Sequence, residues 1–405
     1  MKRLYFILLS VLFFSNPILN AQEPSTEIKP YIDFLKKNQP VSAKEYILSL
    51  FQKHDVVILC ERDHRELTQY DLILDVARDP YFREHAGVIF SEIGSHNLNP
   101  ELNNFLQDGT LDNEQVKKTI RHFQRNIFYY PVWEKYNWSY FAEGLYAENH
   151  KQTPYPPIQW YPSDLPYYIK GNATPEQISK IDVMTDQRDS LIADHVIQNL
   201  LRLKQSKTSQ KALVILNYRH AYGPGFRREP NKKADNASRY IYEAFPGLCC
   251  NVMLNSVKPV MIKSDTDMAL STIQDGKWDA AFQYTGITNA GFDFEQNPFG
   301  EDLFDYFPIN VTQQTYADVF DGFVFYTPIA SYKIAIGIPH IAEEGFAEEY
   351  AKREKIKYES VGRKSPGRAQ DYLKSINELK IQKEDFYDEL IHQIEKWLHP
   401  AEDKK

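Results

Sequence analysis

Apolar residues in this chain gather into short unbroken runs. Val56–Cys60, Gly87–Glu92 and Ala212–Leu216 are the clearest, and β-branched side chains are frequent in them. A continuous run of that length is the pattern of a strand buried on both faces, which belongs to a parallel sheet covered by helices. Helical spacing fills the intervals. Leu67, Tyr70, Leu74 and Ala77 share one face of a helix expected over Leu67–His85. With the strands on either side it makes a βαβ unit, whose crossover is right-handed.

The same reading extends along the chain. Ser42 stands at an N-cap position before a helix over Ala43–Lys53, and Pro100 opens a short helix ending at Leu106. Asn113–Asn126 and Asn236–Phe245 are helical, and Thr174 caps a region that runs helically through Leu203 in two pieces. Ile158–Tyr161, Cys250–Leu254, Val257–Ile262, Trp278–Phe282 and Gly322–Tyr326 read as further strands. Tyr129–Tyr161 is an aromatic, largely helical excursion, and residues 340–405 are charged and mostly helical. The expectation is an α/β fold with a central, mostly parallel sheet flanked by helices. The core spans residues 22–330 with a helical insertion around 107–157, and a helical extension covers 331–405.

The first 21 residues stand outside this pattern. Lys2 and Arg3 precede an apolar run, Leu4–Phe14, and Ala21 offers a small residue before a cut. The run is shorter than the roughly 20 residues a membrane helix needs, so it reads as a secretory signal peptide. No later run approaches that length. The expectation is export to the periplasm or the cell exterior, with no integral membrane span.

Composition narrows the function classes. A formal net charge of −8 argues against a general nucleic-acid binder. The partner expected is a small-molecule or peptide substrate. Three cysteines, Cys60, Cys249 and Cys250, do not make a disulfide framework, and the last two point to opposite faces of a strand. Cys60 fits a small buried residue closing a strand. The 27 Tyr and 24 Phe are expected mainly to anchor loops.

Candidate chemistry collects where strands end, which is where open α/β sheets bind ligands. Val56–Cys60 is followed by Glu61 and His64, and Ala212–Leu216 by Asn217 and His220. Glu92 closes the run Gly87–Phe90, and Asp164 follows Ile158–Tyr161. Glu61 and His64, three apart, converge if the turn continues helically. A neutral imidazole can take a proton from water, and a carboxylate beside it fixes its tautomer. Alternatively, His64, His220, Glu61 and Glu92 could hold a divalent metal ion that acidifies a bound water. Both routes lead to hydrolysis.

At these positions the chain resembles the erythromycin esterase-like proteins. Leu59–His64 through Gln69 is similar to their Leu-Gly-Glu-x-x-His-x-x-x-x-(Glu/Gln) block, with Cys60 in place of the glycine. Phe90–Glu92 with Leu102–Leu106, Gln187–Ala193 and Leu216–His220 resemble three later blocks in the same order. That superfamily includes TraB/TIKI-type metalloproteases and haem-binding lipoproteins. The resemblance implies that His64 is the water-activating base, Glu61 its partner, Glu92 a second carboxylate and His220 a second histidine. Arg188, Asp164 and Asn217 are the substrate-orienting candidates. The function expected is hydrolysis of an ester or amide; the rival is a non-catalytic haem- or metal-binding protein. A third reading is a module without catalysis, marked by failure of these side chains to converge. His96 and His195 are expected to be surface or packing residues, and Asp318 and Asp321 to be turn and cap residues.

Overall fold

The computed structural model describes residues 23–127, 136–167, 170–229, 232–261, 268–306, 313–382 and 386–400. The leader read from residues 1–21 lies outside them. Seven strands form the central sheet: β1 (Val56–Glu61), β2 (Val88–Ser95), β3 (Gln159–Asp164), β4 (Ala212–Asn217), β5 (Cys249–Leu254), β6 (Asn289–Asp293) and β7 (Gly322–Tyr326). Their spatial order is β6-β7-β5-β1-β4-β2-β3. All neighbours are parallel except β6 with β7. This is the expected α/β architecture.

Successive residues of β1 serve opposite faces. Val56, Ile58 and Cys60 join one apolar core, and Val57 and Leu59 join the other. That double burial is why the run is apolar at every position. On the first face Ile192, Val196 and Leu200 pack from α9 (Arg188–Gln205). On the second face Leu72, Ile73 and Val76 pack from α3 (Thr68–Ala77), after α1 (Lys29–Asn38) and α2 (Ala43–Leu50). Ser42 caps α2 in a reciprocal box with Glu45.

Two expectations change. The helix expected over Leu67–His85 is two helices, α3 and α4 (Pro80–His85), because Asp79 caps a new start and Pro80 sits at its first position. Trp278–Phe282, expected as a strand, is helical. It belongs to α11 (Lys277–Thr285), which begins after Gly276 at φ 86° and buries Trp278 and Phe282. Val257–Met261 is a strand as expected, paired antiparallel with Met268–Thr272 outside the central sheet, while Ile262 lies outside the described residues.

Between β2 and β3 lie α5 (Asn99–Phe105), α6 (Asn113–Gln124) and α7 (Tyr136–Asn149), and between β3 and β4 lie α8 (Pro175–Asp186) and α9. α10 (Ala237–Ala244) follows β4. Beyond β7 come the short strand β8 (Ile334–Ile336), α12 (Phe346–Ser360), α13 (Ala369–Ser375), strand β9 (Lys380–Gln382) and α14 (Phe386–Leu398). β8 and β9 pair antiparallel, and α14 returns Leu390 and Ile394 to the first core. Cys60, Cys249 and Cys250 are free and buried, with Cys249 and Cys250 on opposite faces. No described helix is long and apolar enough to cross a membrane.

Candidate functional site

The parallel strands β1, β4, β2 and β3 deliver their carboxyl ends to one edge. Glu61 is in register with Asn217, and Ser95 with Asp164. A register shift in β2 between Ser91 and Ser95 marks a bulge, the device by which a strand re-aims a side chain. Gly94, at φ 113°, lies within it. A Cβ there would stand 2.5 Å from Cβ of Pro162 and 2.9 Å from Nε1 of Trp138.

At that edge lies a cleft of about 1210 Å³ lined by His64, Glu92, Asp164, Arg188, Asn217 and His220, among others. Glu61 sits just beneath, 2% exposed. The candidate residues therefore meet at one place, and their contacts sort them into two histidine–carboxylate pairs and an ion-pair chain.

The first pair is His64 with Glu61. Nδ1 of His64 is 3.0 Å from Oε1 of Glu61, whose Oε2 accepts a hydrogen bond from the Tyr70 hydroxyl at 3.0 Å. Tyr70 is in α3, so the helix after β1 fixes the carboxylate that faces His64. The two groups meet at ion-pair distance without hydrogen-bond alignment at Nδ1, so Glu61 acts on the ring through its charge.

The second pair is His220 with Asp189. Nδ1 of His220 is 2.6 Å from Oδ1 of Asp189, which also accepts from the Ala237 amide at 2.9 Å. Nε2 lies 3.4 Å from Nη1 of Arg188 and 3.8 Å from Oε1 of Glu92. His220 reaches this place because Tyr218, just after β4, takes a left-handed conformation at φ 42° and starts a short 3-10 turn. A non-glycine residue held there stores backbone strain. The Tyr218 ring packs on Tyr306.

Beside the second pair, Arg188 bridges two buried carboxylates. Its Nε and Nη2 donate to the two oxygens of Asp164 at 2.8 Å each, and Nη2 donates to Oε1 of Glu92 at 2.9 Å. The other oxygen of Glu92 accepts from the Asn217 amide at 2.8 Å. Burial alone would raise the Glu92 carboxyl, but the charges of His220, Arg188 and His64 outweigh it and hold the group well below the usual carboxylate range. Burial would likewise lower Arg188, yet Asp164 and Glu92 keep it firmly charged. The Asn217 side-chain amide donates to the Arg62 carbonyl at 2.6 Å, so this residue joins the ends of β4 and β1 rather than standing free for substrate.

Asp189, Tyr70 and Arg62 were not singled out from the sequence. Asp189 follows the candidate Arg188 at the start of α9, and that position, favourable for a carboxylate, was the signal available. Tyr70 carried only a helical-face pattern. His96 and His195 stack on each other with ring centroids 4.8 Å apart. Asp318 forms a capping box with Thr315, and Asp321 accepts from the Asn251 amide and the Tyr242 hydroxyl. Cys60 is 3% exposed and burial pushes its thiol up, away from nucleophilic use.

The four candidate metal ligands do not fit a cation. Glu61 lies beneath the cleft with one oxygen bonded to Tyr70, and both oxygens of Glu92 are engaged by Arg188 and the Asn217 amide. The guanidinium of Arg188 supplies the positive charge between Glu92 and Asp164 where an ion would sit. Among the described residues no group of three or more His, Cys, Asp or Glu side chains is arranged to hold a metal ion.

No family model matches the chain. No curated protein sequence matches it either. Several solved structures resemble it at low identity. A mutant of erythromycin esterase EreC in its open conformation shares 10% identity at a TM-score of 0.41, covering 74% of this chain and 96% of that one. A succinoglycan biosynthesis protein shares 11% at 0.44, covering 75% and 94%. The type III effector HopBA1 shares 13% at 0.34, covering 63% and 96%. Likeness at this level carries no argument about activity.

Proposed function

We propose that this chain is an exported hydrolase that cleaves an ester or amide bond with water activated by His64. The reading is supported by one observation above the rest. Two histidine–carboxylate pairs, Glu61–His64 and Asp189–His220, come from distant parts of the chain and bring both histidines to the lining of one cleft, which Arg188 also lines. His64, with the Glu61 carboxylate beside its ring, takes a proton from water as that water attacks the acyl carbon. Glu61 stabilises the imidazolium that forms. Arg188, rigid between Asp164 and Glu92 on the wall of the cleft, orients the substrate. His220, oriented by Asp189, is placed to return a proton to the leaving group. The resemblance of the four sequence blocks to the erythromycin esterase-like proteins points the same way.

The test is hydrolysis of a panel of para-nitrophenyl esters and anilides by the mature protein and by His64→Ala. The variant should lose at least about a hundredfold in rate while keeping its melting temperature. Equal residual activity would overturn the role of His64. No turnover of any ester or amide by the wild type would overturn the hydrolase reading.

A further inference from the structure

Arg62 lies between Glu61 and His64 in sequence, yet it is not among the residues lining the cleft and is only 1% exposed. Its guanidinium reaches across three strand ends. Nε donates to the Asn255 carbonyl at 2.6 Å and Nη2 to Oδ1 of Asn255 at 2.5 Å, just past β5. Nη2 also donates to the carbonyl of Tyr326, the last residue of β7. Nη1 donates to Oε2 of Glu66 at 2.9 Å and to the Thr68 hydroxyl at 3.1 Å. The Tyr332 ring lies 4.2 Å from Cζ.

Glu66, also 1% exposed, is saturated in turn. It accepts from the Thr68 amide and hydroxyl, the Gln69 amide and the Lys333 amide, at 2.8 to 3.2 Å. The backbone is closed as well. Gln69 accepts from the Arg62 amide at 2.7 Å and donates to the carbonyls of Asp63 and Glu66. The Leu67 amide donates to the Lys333 carbonyl and the Ala335 amide to the Arg65 carbonyl, both at 2.8 Å. The turn that carries His64 is thus stitched on one side to Asn217 and on the other to the chain leading into β8.

Burying an arginine costs several kcal/mol before any partner is counted, and a well-packed apolar side chain often serves stability as well. What the apolar side chain cannot supply is a planar fork with five donors at fixed angles. We infer that Arg62 is the positioning residue of the His64 turn, and that the segment Tyr332–Ile336 is a built part of the same support. This inference rests on His64 as the water-activating base. It adds that the base is held from behind, by a buried cation that never meets substrate, and by chain from beyond the central sheet.

The experiment compares wild type, Arg62→Lys and Thr68→Val as full chains, with Arg353→Lys as control. Arg353 is another buried arginine, paired with Glu349 on α12 and not among the residues lining the cleft. The readouts are kcat and KM for para-nitrophenyl acetate, the pH profile of kcat, and the imidazole nitrogen shifts of His64 by NMR. Lysine keeps the charge against Glu66 but cannot hold three strand ends. Arg62→Lys should lower kcat about ten- to a hundredfold with KM nearly unchanged. It should displace the pH profile and move the His64 shifts away from their wild-type values. Thr68→Val, which removes one acceptor for Arg62 and one donor to Glu66 but no charge, should shift the same readouts less. It decides the matter if Arg62→Lys fails to fold. Arg353→Lys should change only the melting temperature. Wild-type His64 shifts and pH profile in both Arg62→Lys and Thr68→Val would overturn the inference. If the wild type hydrolyses nothing, the functional reading fails, and the His64 shifts alone then decide whether Arg62 positions the imidazole.

Discussion

Nδ1 of His220 lies 2.6 Å from Oδ1 of Asp189, although the residues are 31 positions apart and belong to different elements. Burial would raise the Asp189 carboxyl, but its bond to His220, the charges of His220 and Arg219, and the Ala237 amide together hold it below the usual range. A charged Asp189 fixes His220 with its proton at Nδ1. Asp189→Asn keeps the shape and can still accept from the Ala237 amide, but it lacks the charge. The variant should lose about a hundredfold or more in kcat with a small change in melting temperature, read by steady-state kinetics beside calorimetry. Unchanged kcat would remove His220 from the mechanism.

Arg188 is 13% exposed at the side chain and neutralises two carboxylates, Asp164 at 0% and Glu92 at 4%. Removing it leaves both uncompensated. Arg188→Ala should destabilise the protein by about 3–5 kcal/mol in urea unfolding. Combining it with Asp164→Asn should cost less than the sum of the single changes, because the second change removes one of the orphaned charges. Additive costs would mean that the pair contributes nothing as a pair.

Much of this site was legible in the chain because strand ends are legible. Val56–Cys60 and Ala212–Leu216 announce buried parallel strands, and whatever polar residue follows must emerge at the sheet's carboxyl edge. Glu61, Glu92, Asp164 and His220 could be placed that way. Asp189 and Arg62 could not. Their roles depend on which helix start or strand end stands opposite, which no local pattern encodes. Trp278–Phe282 failed for a different reason. An aromatic and alanine-rich stretch suits a buried helix as well as a strand, and only Gly276 in its left-handed conformation decides where the helix begins.

The stacked pair of His96 and His195 gives the fold an acid-sensitive point. Burial, then the nearby His96 and the Arg202 charge, push His195 down from 6.5 to about 3. Burial also lowers His96, against its bond to the Asp164 carbonyl. Ser163 and Asn99 face His195 from the other elements. A histidine with a depressed folded value contributes stability that is present above 6.5 and is lost as pH falls toward 3. His195→Gln should therefore flatten the fall in melting temperature between about pH 6.5 and pH 4. A fall as steep as that of the wild type would place the acid sensitivity elsewhere.

Asp279 titrates in the opposite sense. It lies on α11, 8% exposed, and its Oδ1 has no hydrogen-bond partner among the described residues. Burial raises its carboxyl from 3.8 to about 7, even though Arg62 pulls it down. Below 3.8 both folded and unfolded chains hold the proton, and the folded state bears no penalty. As pH rises from there to about 7 the unfolded chain releases the proton while the folded one keeps it, so stability is lost across that window. Above it the full cost of a buried carboxylate remains. Asp279→Asn has nearly the same shape and never ionises. The substitution should raise unfolding free energy by on the order of 2–4 kcal/mol at pH 8. That gain should shrink toward zero by about pH 4. Urea unfolding at several pH values checks it. A gain of the same size at both ends would trace to packing and not to ionisation, because only the charge of Asp279 depends on the proton.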